Sequence, residues 1–184
     1  MRSWGIDLST AQRDGRLRIV SRYAERVGLE DLLVEIKHQV DEFAPQRFVV
    51  DSMTALEHNS SPRAFREFGV GLTGFLKGRG VGAMMTTTLP SLLGGEHATA
   101  VYLSTITDSI IALRYFDLDS QVRRAVLVLK LRGSAHSRAL HEYEVSDRGM
   151  RLLGPIRGVH GILAGLAEVT GETPQDEPPT VAPH

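Results

Sequence analysis

The chain has 184 residues, 42% hydrophobic and 23% charged, with a formal net charge of -1, a pI near 6.7 and no cysteine. That length supports one well-cored domain. The charge balance supplies no basic field for bulk binding to nucleic acid, and the lack of thiols excludes disulfides and thiolate metal sites and fits a reducing, cytoplasmic setting.

From the N-terminus, Met1 to Asp7 carries no signal-peptide core, and no later apolar run reaches the roughly 20 residues that cross a bilayer. Arg16 to Arg22 alternates polar and apolar residues, which predicts a strand with one wet face. Leu29, Leu32, Leu33, Ile36, Val40 and Phe43 then form a helical stripe that Pro45 ends. The run Phe48-Val49-Val50-Asp51-Ser52 predicts a strand covered on both faces and ending on an acid. After the polar loop at Asn59 to Pro62, Phe65, Phe68, Leu72, Phe75 and Leu76 mark the buried side of a second helix that runs to about Gly78. Val81 to Met85 is a further apolar strand.

Strand, helix, strand with short links makes a right-handed crossover, so the strands ending at Asp51 and Met85 should lie parallel. Their C-terminal ends then share one edge, holding Asp51-Ser52 and Thr86-Thr87-Thr88, where open α/β sheets bind ligands. The glycine-bearing segment Pro90 to Glu96 is a loop beside that edge. Asp108 to Phe116 and Arg124 to Leu131 predict a hairpin joined through Asp117-Leu118-Asp119-Ser120, followed by a strand near Leu140 to Val145 and a turn at Ser146 to Gly149. The proline-rich, polar stretch from Gly171 has too little to bury to fold.

Several residues admit two readings. Asp51 is either a turn cap after a buried strand or the acid of a metal-nucleotide site, whose usual partner is an upstream G-x-x-x-x-G-K-[ST] loop. Lys130 and Arg132, on one side of their strand, are either a solvated strand end or a pair of cations for a triphosphate, the arginine acting as a finger across a subunit interface. Leu103 to Asp108 is either the start of a strand with local side-chain hydrogen bonds or a row of hydroxyls for a phosphoryl group. Trp4 packs in a core or stacks on a ring. His97, His136 and His141 lack a metal-ligand spacing with carboxylates and read as surface residues.

Taken together, Ser3-Trp4-Gly5, Gly28-Leu29-Glu30-Asp31, Val50-Asp51-Ser52, Phe65-Arg66-Glu67-Phe68, Leu103-Ser104-Thr105-Ile106-Thr107-Asp108 and Lys130-Leu131-Arg132-Gly133-Ser134-Ala135-His136 resemble the KaiC family, and more narrowly its C-terminal RecA-type ATPase and autokinase domain. The similarity runs in order from about Ser3 to Gly158. It implies an α/β, RecA-like fold of the P-loop NTPase type, a mainly parallel sheet flanked by helices with a C-terminal antiparallel hairpin. It also implies hexameric rings that bind ATP and Mg2+ between subunits, and, in the clock members, self-phosphorylation on adjacent serine and threonine.

Carried over by position, Asp51 resembles the Walker B acid near the magnesium ion, while Trp4 and Arg124 lie on the nucleotide. Lys130, Leu131, Arg132, Ser134, His136 and Arg138 resemble the strand and loop that contact ATP from a neighbouring subunit, with Lys130 and Arg132 in catalytic roles. Ser104 and Thr105 match the phosphoacceptor pair. The resemblance places the family's P-loop and its glutamate pair before the matched region, so the Walker A strand is expected to be missing. Ala100, beside a retained Thr99, replaces an acid of the clock members, and Ala135 and Ser137 replace a tryptophan and an acid around His136. Residues 1–165 are expected to form the partial domain and 166–184 a disordered tail.

Two functions of different class follow, with a third standing behind them. The chain is a fragment, a split protein or a protein with a misplaced start that acts as a KaiC-like ATPase only with its missing half. Alternatively, it is a non-catalytic module that docks on a complete KaiC-like partner through Lys130 to Arg138. The third is a RecA-type DNA-repair relative, against which the acceptor-like pair stands.

Overall fold

A computed structural model describes residues 7–23, 28–88, 105–118, 120–164 and 168–169. The helices are α1 (Leu8–Arg13), α2 (Leu29–Phe43), α3 (Met53–His58) and α4 (Pro62–Gly78). The strands are β1 (Arg47–Val50), β2 (Gly82–Met85), β3 (Ser109–Leu118), β4 (Gln121–Leu131), β5 (His141–Ser146), β6 (Gly149–Pro155), β7 (Val159–His160) and β8 (Glu168–Val169). Among the described residues they form a parallel pair β1-β2, an antiparallel sheet β3-β4-β5-β6 and a short pair β7-β8.

The two long helices follow their apolar stripes. Pro62 opens α4 at a position where its missing N–H costs nothing, and the Ser61 side chain accepts from the Ala64 N–H at 3.2 Å. Helix α2 stops at Ala44, whose left-handed φ of 49° precedes Pro45. Val40, Met53, Leu56, Phe65, Phe68, Leu72 and Leu76 form one buried core, and Phe48, Val50 and Met85 pack against it from the inner face of the strands.

The parallel crossover is as expected: Phe48 pairs with Ala83 and Val50 with Met85. Coverage on both faces is not. Val49 and its partner Met84 are each 61% exposed, because α2 and α4 shield only the face that carries Phe48 and Val50. Among the described residues the outer edge of β2 is also open. Gly82 and Thr86 donate toward β1, to Gln46 O and Val50 O, so Ala83 and Met85 aim their main-chain groups away from it, where no described strand pairs with them.

Arg16 to Arg22 is not a strand. Its alternation has a different cause: Arg18 donates to Gln39 at 2.8 Å and pairs with Glu42, and Arg22 pairs with Glu35, so the segment lies along α2 through its arginines. No described strand lies beside it to fix an extended ladder. The six-residue helices α1 and α3 are too short to show a periodic stripe and escape a reading based on one.

The hairpin is longer than expected, with Leu118 pairing directly with Gln121 and the turn shortened accordingly. Strand β6 continues beyond the Ser146–Gly149 turn and pairs with β5. Phe116, Ala125 and Ile162 make a second, smaller core, joined by Leu140, Ile156 and Val159. On the opposite face of the hairpin Ile111, Leu113, Tyr115 and Val122 are exposed. The Pro90–Glu96 loop and residues 170–184 of the expected tail lie outside the described residues, while Glu168–Val169, inside the span expected to be disordered, is strand β8 and pairs with β7.

Candidate functional site

Asp51 stands immediately after β1, and the chain beyond it is pinned to the extension of β2: the Met53 N–H donates to Thr86 O at 2.9 Å. The Thr86 hydroxyl donates to Asp51 Oδ1 at 2.5 Å, and Asp51 Oδ2 has no partner among the described residues. Thr54 and Thr87 share a hydroxyl contact of 3.2 Å, and the Thr88 N–H donates to Thr54 Oγ1 at 2.8 Å. The shared strand edge therefore gathers one exposed carboxylate and a row of hydroxyls. A magnesium ion bound through phosphates and water needs one or two carboxylates from protein, and Asp51 fits that part. No group of three or more His, Cys, Asp or Glu among the described residues makes a metal cage. A shallow cavity lined by Val40, Asp41, Ala44, Pro45, Arg79 and Val81 lies at the other end of the strands and has no part in this corner.

A second group forms at the end of β4. Lys130 Nζ donates to Thr107 O at 2.8 Å, and Arg132 Nη2 donates to Thr105 O at 3.0 Å. The Arg132 N–H donates to Asp108 O at 2.8 Å. Lys77, in the last turn of α4, pairs with the Asp108 carboxylate at 2.9 Å, and Arg132 Nη1 lies 3.6 Å from it. The hydrogen bond from Lys77, with the nearby charges of Arg132 and Lys130, holds the Asp108 carboxyl below its ordinary range. Thr105 and Ile106 are helical and β3 begins at Ser109, so the described part of the acceptor-like run, Thr105 to Asp108, is not strand.

Lys130 and Arg132 thus both donate to the Thr105–Asp108 segment. Arg124 does not join them. It pairs across the hairpin with Tyr115, its guanidinium 5.6 Å from the ring centroid, on the open face of the sheet. Ile110 pairs with Lys130 while Ile111 pairs with Val128, so Leu129 is an extra residue and β4 carries a bulge there. By this pairing Lys130 falls on the face of Ala112 and Phe116, opposite to Arg124. Leu131 pairs with Ser109. Ser134 and Arg138 are exposed and His136 is half-buried in the segment between β4 and β5. Trp4, Ser104, His97, Thr99 and Ala100 lie outside the described residues.

Three residues acquire a place that sequence reasoning did not give them. Asp108 and Lys77 meet across 31 positions, a separation that leaves no local signal. Tyr115 was legible in principle, since the hairpin register sets it opposite Arg124 once the turn is known.

Among the described residues no helix is long and apolar enough to cross a membrane. The profile of the KaiC ATPase family matches residues 1–155. The chain is 44% identical over 170 residues to circadian clock protein KaiC3 of Synechocystis sp., covering 92% of this chain and 34% of that protein. It is 39% identical over 163 residues to the circadian clock oscillator protein KaiC of Thermostichus vulcanus, covering 89% and 32%. Against that of Synechococcus elongatus it is 38% identical over 163 residues, covering 89% and 31%. The chain thus spans about a third of the length of the curated relatives it matches. With an acid-tipped parallel crossover, a cation-bearing antiparallel sheet and a family match over most of its length, the chain belongs to the KaiC family of ATPases as part of a RecA-like α/β domain.

Proposed function

We propose that this chain supplies the Walker B side and the neighbour-facing side of a KaiC-type ATP site between subunits, and that it hydrolyses ATP only when a Walker A-bearing segment completes the domain. The observation that carries this reading is the convergence of Lys130 and Arg132 on the Thr105–Asp108 segment. Phosphoryl transfer is catalysed largely by positioning and by positive charge near the moving group. Two cations beside the acceptor-like segment supply that charge where a hydroxyl of Thr105, or of Ser104 next to it in the sequence, would take the γ-phosphoryl group as ADP leaves and the hydroxyl proton is lost to solvent.

In this reading Asp51 would hold magnesium, its carboxylate oriented by the Thr86 hydroxyl on Oδ1. Bound Mg2+-ATP supplies the transferable phosphoryl group. Lys130, Leu131, Arg132, Ser134, His136 and Arg138 face the nucleotide of a neighbour in a hexameric ring, and Trp4 and Arg124 lie on the nucleotide. The exposed Tyr115 ring under Arg124 suits such a contact, since an aromatic face and a guanidinium both stack on a base. Residues 1–165 are the domain-forming part. The test is ATP turnover by the purified 184-residue chain. Near-zero hydrolysis is expected, and turnover restored by an added Walker A-bearing segment and removed by Asp51→Ala supports the proposal; robust turnover by the chain alone, lost in Asp51→Ala, would sink it.

A second reading is favoured by the open β2 edge and the exposed Ile111, Leu113 and Tyr115 face. There the chain is a non-catalytic module that docks on a complete KaiC-like protein. Sedimentation with such a protein and ATP separates the two: joint sedimentation without any gain in turnover favours docking.

A further inference from the structure

We propose that Asp108 is the positioning residue of the cation-bearing edge: it fixes Arg132 through main chain and side chain, while Lys77 anchors it to α4. The inference rests on the reading that Lys130 and Arg132 meet a polyphosphate, and it adds a residue to which no role has been given.

Long cationic side chains lose rotamer freedom when they bind, and holding them in place beforehand reduces that cost. Arg132 is held at three points. Its N–H donates to Asp108 O at 2.8 Å, its Nη2 to Thr105 O at 3.0 Å, and its Nη1 lies 3.6 Å from the Asp108 carboxylate. Lys130 is held by Thr107 O at 2.8 Å, one residue before Asp108. Every one of these acceptors belongs to the four residues ending at Asp108, so the placement of that segment sets the placement of both cations. Asp108 is where the segment is tied down, because Lys77 reaches its two carboxylate oxygens at 2.9 and 3.0 Å from the C-terminal turn of α4. The charged groups facing Asp108 are Lys77 from α4 and Lys130 and Arg132 from β4 and its end. Three cations around one carboxylate leave positive charge in excess, as an anion-binding edge requires. The Asp108 carboxylate is charged at neutral pH, as any aspartate is, and its lowered pKa extends that charge into acid.

The experiment uses the full 184-residue chain labelled with 15N. It follows the Arg132 Nε–Hε resonance, with the main-chain amides of β3 and β4 as the control for folding, and titrates inorganic tripolyphosphate. In Asp108→Ala the Arg132 resonance is expected to move toward the free-arginine position, the contact with Thr105 O remaining. Tripolyphosphate affinity should fall about two- to fivefold, the factor an exposed ion pair is commonly worth. Asp108→Glu should recover part of the affinity. In the wild type the Arg132 resonance should shift as pH falls below the ordinary carboxylate range, and in Asp108→Asn that transition should vanish. An unmoved Arg132 resonance in Asp108→Ala, or a wild type with no acid transition, overturns the proposal. So does a rise in affinity, which would make Asp108 a competing anion. If Asp108→Ala fails to fold, Lys77→Met is read in the same way. A wild type that binds no tripolyphosphate while its Arg132 resonance still depends on Asp108 overturns the polyphosphate reading and supports the positioning role.

Discussion

Helix α4 lays Phe65, Phe68, Leu72 and Leu76, and α2 lays Val40, over the inner face of β1 and β2, and Met53, Leu72 and Leu76 there are fully buried. The four-stranded sheet has much less to cover it: Phe116 and Ala125 meet Ile162 from a single short 3-10 turn (Ile162–Ala164). Each sheet also leaves its other face open, Val49 and Met84 on the first and Ile111, Leu113, Tyr115 and Val122 on the second. The parallel unit is therefore finished on one side, whereas the antiparallel unit is thinly covered on one side and bare on the other. Stability is expected to reside in the first unit and the neighbour-facing chemistry in the second.

The strongest test of that division is Leu72→Ala. A cavity at a fully buried leucine costs about 2 to 5 kcal/mol, so urea unfolding should show a large drop in midpoint; a loss under about 1 kcal/mol would contradict a core centred on α4. Next, Ser61→Ala removes the side-chain cap of the same helix and should cost about 1 kcal/mol, measured in the same way. On the other unit, Leu113→Ser changes an exposed position and should stay within about 0.5 kcal/mol, while reducing binding of a hydrophobic dye. A large loss of stability there would mean that the face is covered in solution.

The smallest effect is at the join between the units. Asp108 has its pKa lowered by Lys77, so the link contributes stability above the ordinary carboxylate pKa and loses it as pH falls through the lowered value. The difference in urea midpoint between wild type and Lys77→Met should be small at neutral pH and disappear in acid; a difference that persists there would assign Lys77 a role in packing.

The parts of this molecule legible in its sequence are those fixed by local periodicity. The stripes of α2 and α4, the apolar runs of β1 and β2 and their parallel pairing follow from spacing and short links, and with them the placing of Asp51 beside Thr86. Arg16 to Arg22 misled because alternation describes a wet and a dry side without naming the neighbour, and here the neighbour is a row of polar side chains on α2. The open side of β1 was illegible for a related reason: Val49 is as apolar as Phe48 and Val50, and only the position of the helices decides which of them is covered. At the candidate site the pairing of Lys130 with Arg132 could be read from alternation. Their acceptors could not, since Thr105 O and Thr107 O are main-chain groups brought there by tertiary structure.

The extra residue at Leu129 has a consequence for how such a surface changes over time. Side-chain direction along a strand is a matter of odd and even, and one added residue reverses the parity of everything beyond it. Arg124 and Lys130 share parity by count yet serve opposite sides of the sheet. A single codon gained or lost near Leu129 would send the terminal cations to the other side with every one of them still in the sequence, so related chains with the same charged residues need not present the same surface.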